Sequence, residues 1–178
     1  GGPLSPLLAN IYLDELDKEH QKLIKELIPN KVSLGALQRV LQNLLQERVS
    51  IRDLPTILEG ISEAVTTTRS LMMITEHVRA RLSRQLSNAY ANEFGVIPLV
   101  TLSPEWEQAF AEAVVGEGDD RQLAMAPSSL QAFINKVRTV LEELAVKGES
   151  AVLLTSPAIR PFVRSIIERF RPLTVVMS

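Results

Sequence analysis

Three times in the second half of this chain, a short apolar run ends at a proline and a helical pattern takes over. Leu99-Val100-Thr101-Leu102 runs into Ser103-Pro104, Leu123-Ala124-Met125 into Ala126-Pro127, and Val152-Leu153-Leu154-Thr155 into Ser156-Pro157. At each junction a strand must stop and a helix begin within two residues. Serine offers a cap oxygen, and proline brings a φ suited to the first helical turn, where its missing N–H costs little. Thr174-Val175-Val176-Met177 adds a fourth run near the end. Apolar runs without alternation suit strands covered on both faces, so this half reads as a small α/β unit with a roughly four-stranded, parallel-type sheet. Its middle helix is the clearest in the chain. Leu130, Phe133, Ile134, Val137, Leu141 and Leu144 share a face, Ser128 and Gln131 form a capping-box pattern, and Gly148 fits the stop. The last helix carries Ile159, Phe162, Val163, Ile166, Ile167 and Phe170, with Pro161 set awkwardly in its first turns.

The first half is helical in pattern from residue 11 to residue 94. A first helix over residues 11–28 ends at Pro29, which disfavours helix in the residue before it. Ser33 caps a second, whose Leu34, Leu37, Val40, Leu41, Leu44 and Leu45 form one stripe. Asp53 caps a third, with Pro55 in the first turn and Leu54, Ile57, Leu58 and Ile61 inward. The β-branched run Thr66-Thr67-Thr68 weakens its end. A fourth runs from about residue 70 to residue 92, striped by Leu71, Ile74, Val78, Leu82 and Leu86. Gly95 and Pro98 punctuate the change of pattern. The expected organisation is a leader or fusion-like segment over residues 1–19, a helical subdomain over 20–94 and a small α/β subdomain over 95–178, a mixed α+β and α/β fold.

Chemistry is sparse in this sequence. Its 178 residues contain no cysteine, which removes disulfides, thiolate zinc sites, iron–sulfur clusters and cysteine nucleophiles. The two histidines, His20 and His77, make no cluster, so no metal site and no cofactor are expected. The α/β half holds no histidine, so a Ser-His-Asp arrangement cannot form within it. Phosphate-binding glycine loops and a nucleophile elbow are missing. Ser156 reads better as a helix cap than as a nucleophile, and Asp119-Asp120 better as a solvated turn than as a cation loop. His77 reads as a surface histidine, and Arg160, Arg164, Arg169 and Arg171, interleaved with Glu168, as an ordinary solvated face. A net charge of -2 with 4% aromatics gives no support for a nucleic-acid surface. No apolar run reaches the length of a membrane span. No catalytic residue is assigned.

The densest charge lies in Gln46-Glu47-Arg48-Val49-Ser50-Ile51-Arg52-Asp53, between two amphipathic helices. It is either a solvated turn or a contact edge where Arg and Glu groups pair across a subunit boundary, Arg forks giving orientation as well as affinity. At this block the sequence SLGALQRVLQNLLQERVSIRDLPTILEGISEA, residues 33–64, resembles the FHIPEP family of flagellar type III export-gate proteins and, more loosely, its injectisome homologues. The likeness extends through HQKLIKELIPN upstream and LLTSPAIRPFVRSIIERFRPLTVVMS downstream, covering roughly residues 20–178. GGPLSPLLANIYLDELDKE, residues 1–19, separately resembles a segment of group II intron reverse transcriptases. The catalytic motif of those enzymes does not follow, so that reading is rejected for the whole chain.

The resemblance implies the C-terminal cytoplasmic region of an export gate: a helical subdomain followed by a small α/β subdomain, and protein transport without catalysis. It implies a nine-membered ring of identical copies that receives export substrates with their chaperones and meets other export-apparatus proteins. It places the chain at the cytoplasmic face of the bacterial inner membrane, attached through a region outside this soluble stretch. On sequence match and charge density, Arg39, Glu47, Arg48, Arg52 and Asp53 are the candidate ring-interface residues. The reading weighed against it is a small α/β enzyme or ligand-binding domain with its site at the strand C-terminal ends.

Overall fold

The computed structural model describes residues 18–178. Nearly all of the expected leader, and the start of the first expected helix, lie outside the described residues. Two compact units divide the chain, one up to Leu86 and one over Ser87–Ser178. The division precedes Gly95 and Pro98 because Leu86 is the last buried side chain of the helical core; the next is Phe110.

The first unit is helical. It holds α1 (Lys18–Leu27), α2 (Leu34–Gln46), α3 (Leu54–Ala64), α4 (Leu71–Arg81) and the start of α5 (Ser83–Tyr90). Its caps are those the sequence offers: Ser33 Oγ accepts from the N–H of Ala36 at 3.1 Å, and Asp53 Oδ1 accepts from that of Thr56 at 3.3 Å. Ser70 Oγ does the same for Met73. The helices bury their stripes against one another: Leu37, Val40 and Leu44 on α2, Ile57, Leu58 and Ile61 on α3, Ile74 and Val78 on α4. At the end of α3 the threonines act as a stop. The hydroxyls of Thr66 and Thr67 donate to the carbonyls of Glu63 and Ala64, adding to the backbone bonds that close the last turn. The single helix expected over residues 70–92 is instead two, broken at the buried Leu82, whose ψ is 11°. Beyond the break the side-chain amide of Gln85 donates to the Ser50 carbonyl, tying α5 to the α2–α3 turn.

The second unit holds β1 (Leu99–Thr101), α6 (Pro104–Ala113), β2 (Val114–Val115), a 3-10 turn (Gly118–Asp120), β3 (Gln122–Leu123), α7 (Pro127–Val146), β4 (Val152–Leu154), α8 (Arg160–Ile167) and β5 (Val176–Met177). The expected four-stranded sheet is not what forms. A three-stranded parallel sheet has the order β1-β4-β5, and the run at Leu123 pairs elsewhere, antiparallel with β2. The reason lies in the connection. Parallel pairing needs a long crossover, whereas Gly116-Glu117-Gly118 turns the chain back within a few residues. Gly116 has φ +88°, and a Cβ there would lie 2.5 Å from the Asp120 carbonyl oxygen. The cap chemistry also differs from expectation. Ser103 and Ala126 make no side-chain cap, and Gln131 bonds Asn135 rather than completing a capping box. Ser156 turns the chain through its carbonyl, which accepts from Arg160 at 3.1 Å, so α8 starts late and Pro161 falls acceptably in its first turn. Phe110 and Phe133 are fully buried and meet edge to face, with Trp106 beside Phe133.

Gly60 sets the approach of α3 to α4. A Cβ at this position would lie 3.3 Å from Val78 Cγ2 and 3.4 Å from the Val78 Cα. Gly60→Val adds branched methyls against backbone that cannot retreat, and should cost about 1–3 kcal/mol as overpacking does. Urea unfolding of the variant checks this; an unchanged midpoint would contradict the close approach.

Candidate functional site

The charged block at the end of α2 is built by a helix stop. Val49 N–H bonds the Leu44 carbonyl at 2.9 Å and Arg48 N–H bonds that of Leu45 at 2.9 Å. This is the paired closure that places the residue after the cap in left-handed backbone. Arg48 occupies that position, with φ 60°. Val49 turns into the core, and Arg48 is left exposed. The five candidate residues then sort by what they touch. Glu47 pairs with Arg79 at 3.1 Å, and Arg79 is only 5% exposed, so this carboxylate is engaged within the unit. Asp53 spends its carboxylate on the α3 cap. Arg39, Arg48 and Arg52 are exposed, and no carboxylate among the described residues pairs with them.

A second charged group lies on α3 and α4. Arg81 reaches Glu59 at 3.0 Å and Glu63 at 3.5 Å, and His77 Nε2 meets Glu63 at 3.0 Å. His77 is thus on the surface as expected, but paired. Its hydrogen bond is the main reason the Glu63 carboxyl lies below the usual carboxylate range; partial burial opposes this, and the charges of Arg81 and His77 add to it.

In the second unit a cleft of about 180 Å³ opens between β1 and α7, lined by Val100, Leu102, Trp106, Phe133, Val140 and Leu153, with Thr101, Ser103 and Lys136 as its polar members. It sits near the end of β1, where the ligand-binding alternative places a site, but its lining offers one cation and no carboxylate or histidine. Among the described residues no group of His, Cys, Asp and Glu could hold a metal ion, and no helix is long and apolar enough to cross a membrane. Beside the cleft, Ser103 donates its hydroxyl to Glu105. That bond, helped by the Glu105 N–H, holds the carboxyl below its usual range.

The solvated face expected around Glu168 holds for the exposed Arg169, but the structure corrects it for Arg160 and Arg164. Arg160 is 1% exposed and Arg164 8%. Arg160 donates to the Val176 carbonyl at 3.0 Å, and Arg164 to that of Thr174 at 3.0 Å. These carbonyls belong to β5 and its approach, and alternate with those of Val175 and Met177, which bond β4. Sequence reading missed both roles. The signal was there: each arginine sits among core residues, between Ile159, Phe162, Val163, Ile166 and Ile167.

The FHIPEP family matches residues 8–178. The chain belongs to the FHIPEP family. Flagellar biosynthesis protein FlhA of Caulobacter vibrioides is 58% identical over 166 residues, 93% of this chain and 24% of that protein. Among solved structures, the C-terminal domain of InvA superposes with a TM-score of 0.86 at 26% identity, over 97% of this chain and 52% of that one. The nonameric SctV-C of EPEC gives 0.81 at 25% identity, over 97% and 51%. The CdsV protein of Chlamydia pneumoniae, solved in complex with CdsO, gives 0.79 at 26% identity, over 98% and 52%. The chain thus spans about a quarter of the length of the flagellar relative it matches. It shares the mixed helical and α/β fold of the C-terminal cytoplasmic domains of export-gate proteins.

Two outcomes test this geometry in a FHIPEP chain. Arg160→Met keeps side-chain bulk but removes the charged donor to the buried Val176 carbonyl, at a cost of about 1–3 kcal/mol. The amides of Leu153 and Thr155, which bond β5, should then exchange faster with deuterium than in the parent. Ser103→Ala removes the main donor to Glu105, so its carboxyl should titrate at higher pH by NMR. Because the folded value is depressed, the bond favours the fold above the unfolded carboxyl pKa, and that contribution disappears as pH falls through the folded one. An unmoved titration would remove Ser103 as the cause.

Proposed function

We propose that the chain forms part of a type III protein-export gate used in flagellum assembly. In this reading it contributes to a ring of identical copies and to the docking of export substrates and their chaperones. It works at the cytoplasmic face of the bacterial inner membrane, and its role is that of a scaffold rather than a catalyst. The observation that carries the reading is the 58% identity to flagellar FlhA across 93% of the chain. A relative of the same fold is nonameric, which supports the ring, and CdsV is solved with CdsO, which supports docking of other export-apparatus proteins. Arg39, Glu47, Arg48, Arg52 and Asp53 are the proposed ring edge, with Glu47 and Asp53 shaping the turn and the arginines facing outward.

Exchange of the corresponding region of Caulobacter vibrioides FlhA for this chain tests the reading directly. Cells carrying the chimera should swim in soft agar at a rate comparable to the parent. Non-motile cells that hold the chimera at normal levels would overturn the flagellar assignment.

A further inference from the structure

We propose that Arg48 is the anchor of a cationic docking edge, shared with Arg52, that takes a carboxylate on a second copy of the chain. The inference rests on the ring reading above and deepens it by naming the anchor and the chemistry of its partner. The first support is what the structure subtracts. Of the four charges in the block, Glu47 is committed to Arg79 and Asp53 to the cap of α3. What remains outward is positive, so a complementary surface must be acidic. This differs from an edge on which both signs cross the boundary. With 21 acidic residues against 19 basic ones, a second copy has carboxylates to offer.

The second support is the backbone. Helix stops of one kind occur at the ends of both α2 and α7. After α7, Glu149 N–H bonds the Leu144 carbonyl at 2.9 Å and Gly148 N–H bonds that of Ala145 at 3.0 Å, with Gly148 at φ +74°. After α2 the same two bonds form, but the left-handed position at φ 60° holds Arg48. Glycine enters that region freely, whereas a residue with a Cβ is strained there. A glycine would close α2 better, as it does α7. The arginine gives up backbone ease and gains an outward guanidinium at a fixed position on a well-tied turn. Outliers of this kind mark side chains kept for what they touch. A planar fork suits a carboxylate, whose two oxygens it meets together.

The test uses the full chain and pairs two readouts, sedimentation velocity over a concentration series and urea unfolding of the same samples. Arg48→Gly should keep or raise the urea midpoint while weakening self-association about three- to fivefold. Arg48→Lys, which keeps the charge but loses the fork, should weaken it less. Raising NaCl to 0.5 M should weaken the parent as the glycine variant is weakened, because exposed pairs are screened. A glycine variant that associates like the parent would overturn Arg48 as anchor and leave the ring reading standing. A glycine variant with a lowered midpoint would overturn the strain argument. A parent that stays monomeric at every concentration would overturn both the ring edge and its anchor.

Discussion

A guanidinium taken out of water must be met by a charge or by several acceptors, and Arg79 is met by Glu47 at 3.1 Å. That pair joins the cap of α2 to the body of α4. Buried pairs add little net stability, because desolvation offsets attraction, but breaking one is costly. Its consequence is positional. Beyond Glu47 two backbone bonds close the helix at Arg48, and Val49 drops into the core. Ser50 is held by Gln85, and Asp53 opens α3. The turn bearing Arg48 and Arg52 is therefore tied at both ends and in the middle, which is what a contact surface on a loop requires.

Arginine does two opposite jobs here, and the sequence does not separate them by residue type. Arg79, Arg160 and Arg164 are buried and serve the fold; Arg39, Arg48 and Arg52 are exposed. An arginine on an amphipathic helix ordinarily solvates its polar face. Arg160 and Arg164 do not: they turn inward and donate to the Val176 and Thr174 carbonyls of β5 and its approach, while the Val175 and Met177 carbonyls pair with β4. The need arises from tertiary structure, so no local pattern announces it. The core residues flanking both arginines are the one trace it leaves in the sequence.

The legible parts were those decided within a few residues. Ser33 and Asp53 cap as read, the stripe of α3 is buried and that of α2 is buried except at Leu34 and Leu45, and Gly148 ends α7. The strand-like runs at Leu99 and Val152 pair in parallel, with Val176 joining them. What failed was decided at longer range. Leu123 does form a strand, but a glycine-rich return pairs it with Val114 instead of with the parallel sheet. The helix breaks at Leu82 without proline or glycine, and the bond from Gln85 to Ser50 shows where the second segment is drawn. For the candidate edge, the sequence located the block. It did not show that both acids were already spoken for, since their partners, the Arg79 side chain and the Thr56 N–H, become neighbours through the fold.

That sorting changes what kind of contact the edge can make. An exposed ion pair contributes about 0–1 kcal/mol, so two arginines cannot hold a subunit by charge alone. Affinity must come from apolar area elsewhere. In the proposed edge the guanidiniums would supply orientation and exclusion: like charges would repel a copy approaching in the wrong register, and a carboxylate would be accepted in one geometry. For a closed ring this matters more than strength, because each subunit must present the same angle to the next for the last contact to meet the first. An anchor fixed by a helix stop serves that demand better than one carried on a free loop. The left-handed backbone of Arg48 follows from that closure, and it fixes the point from which the guanidinium extends.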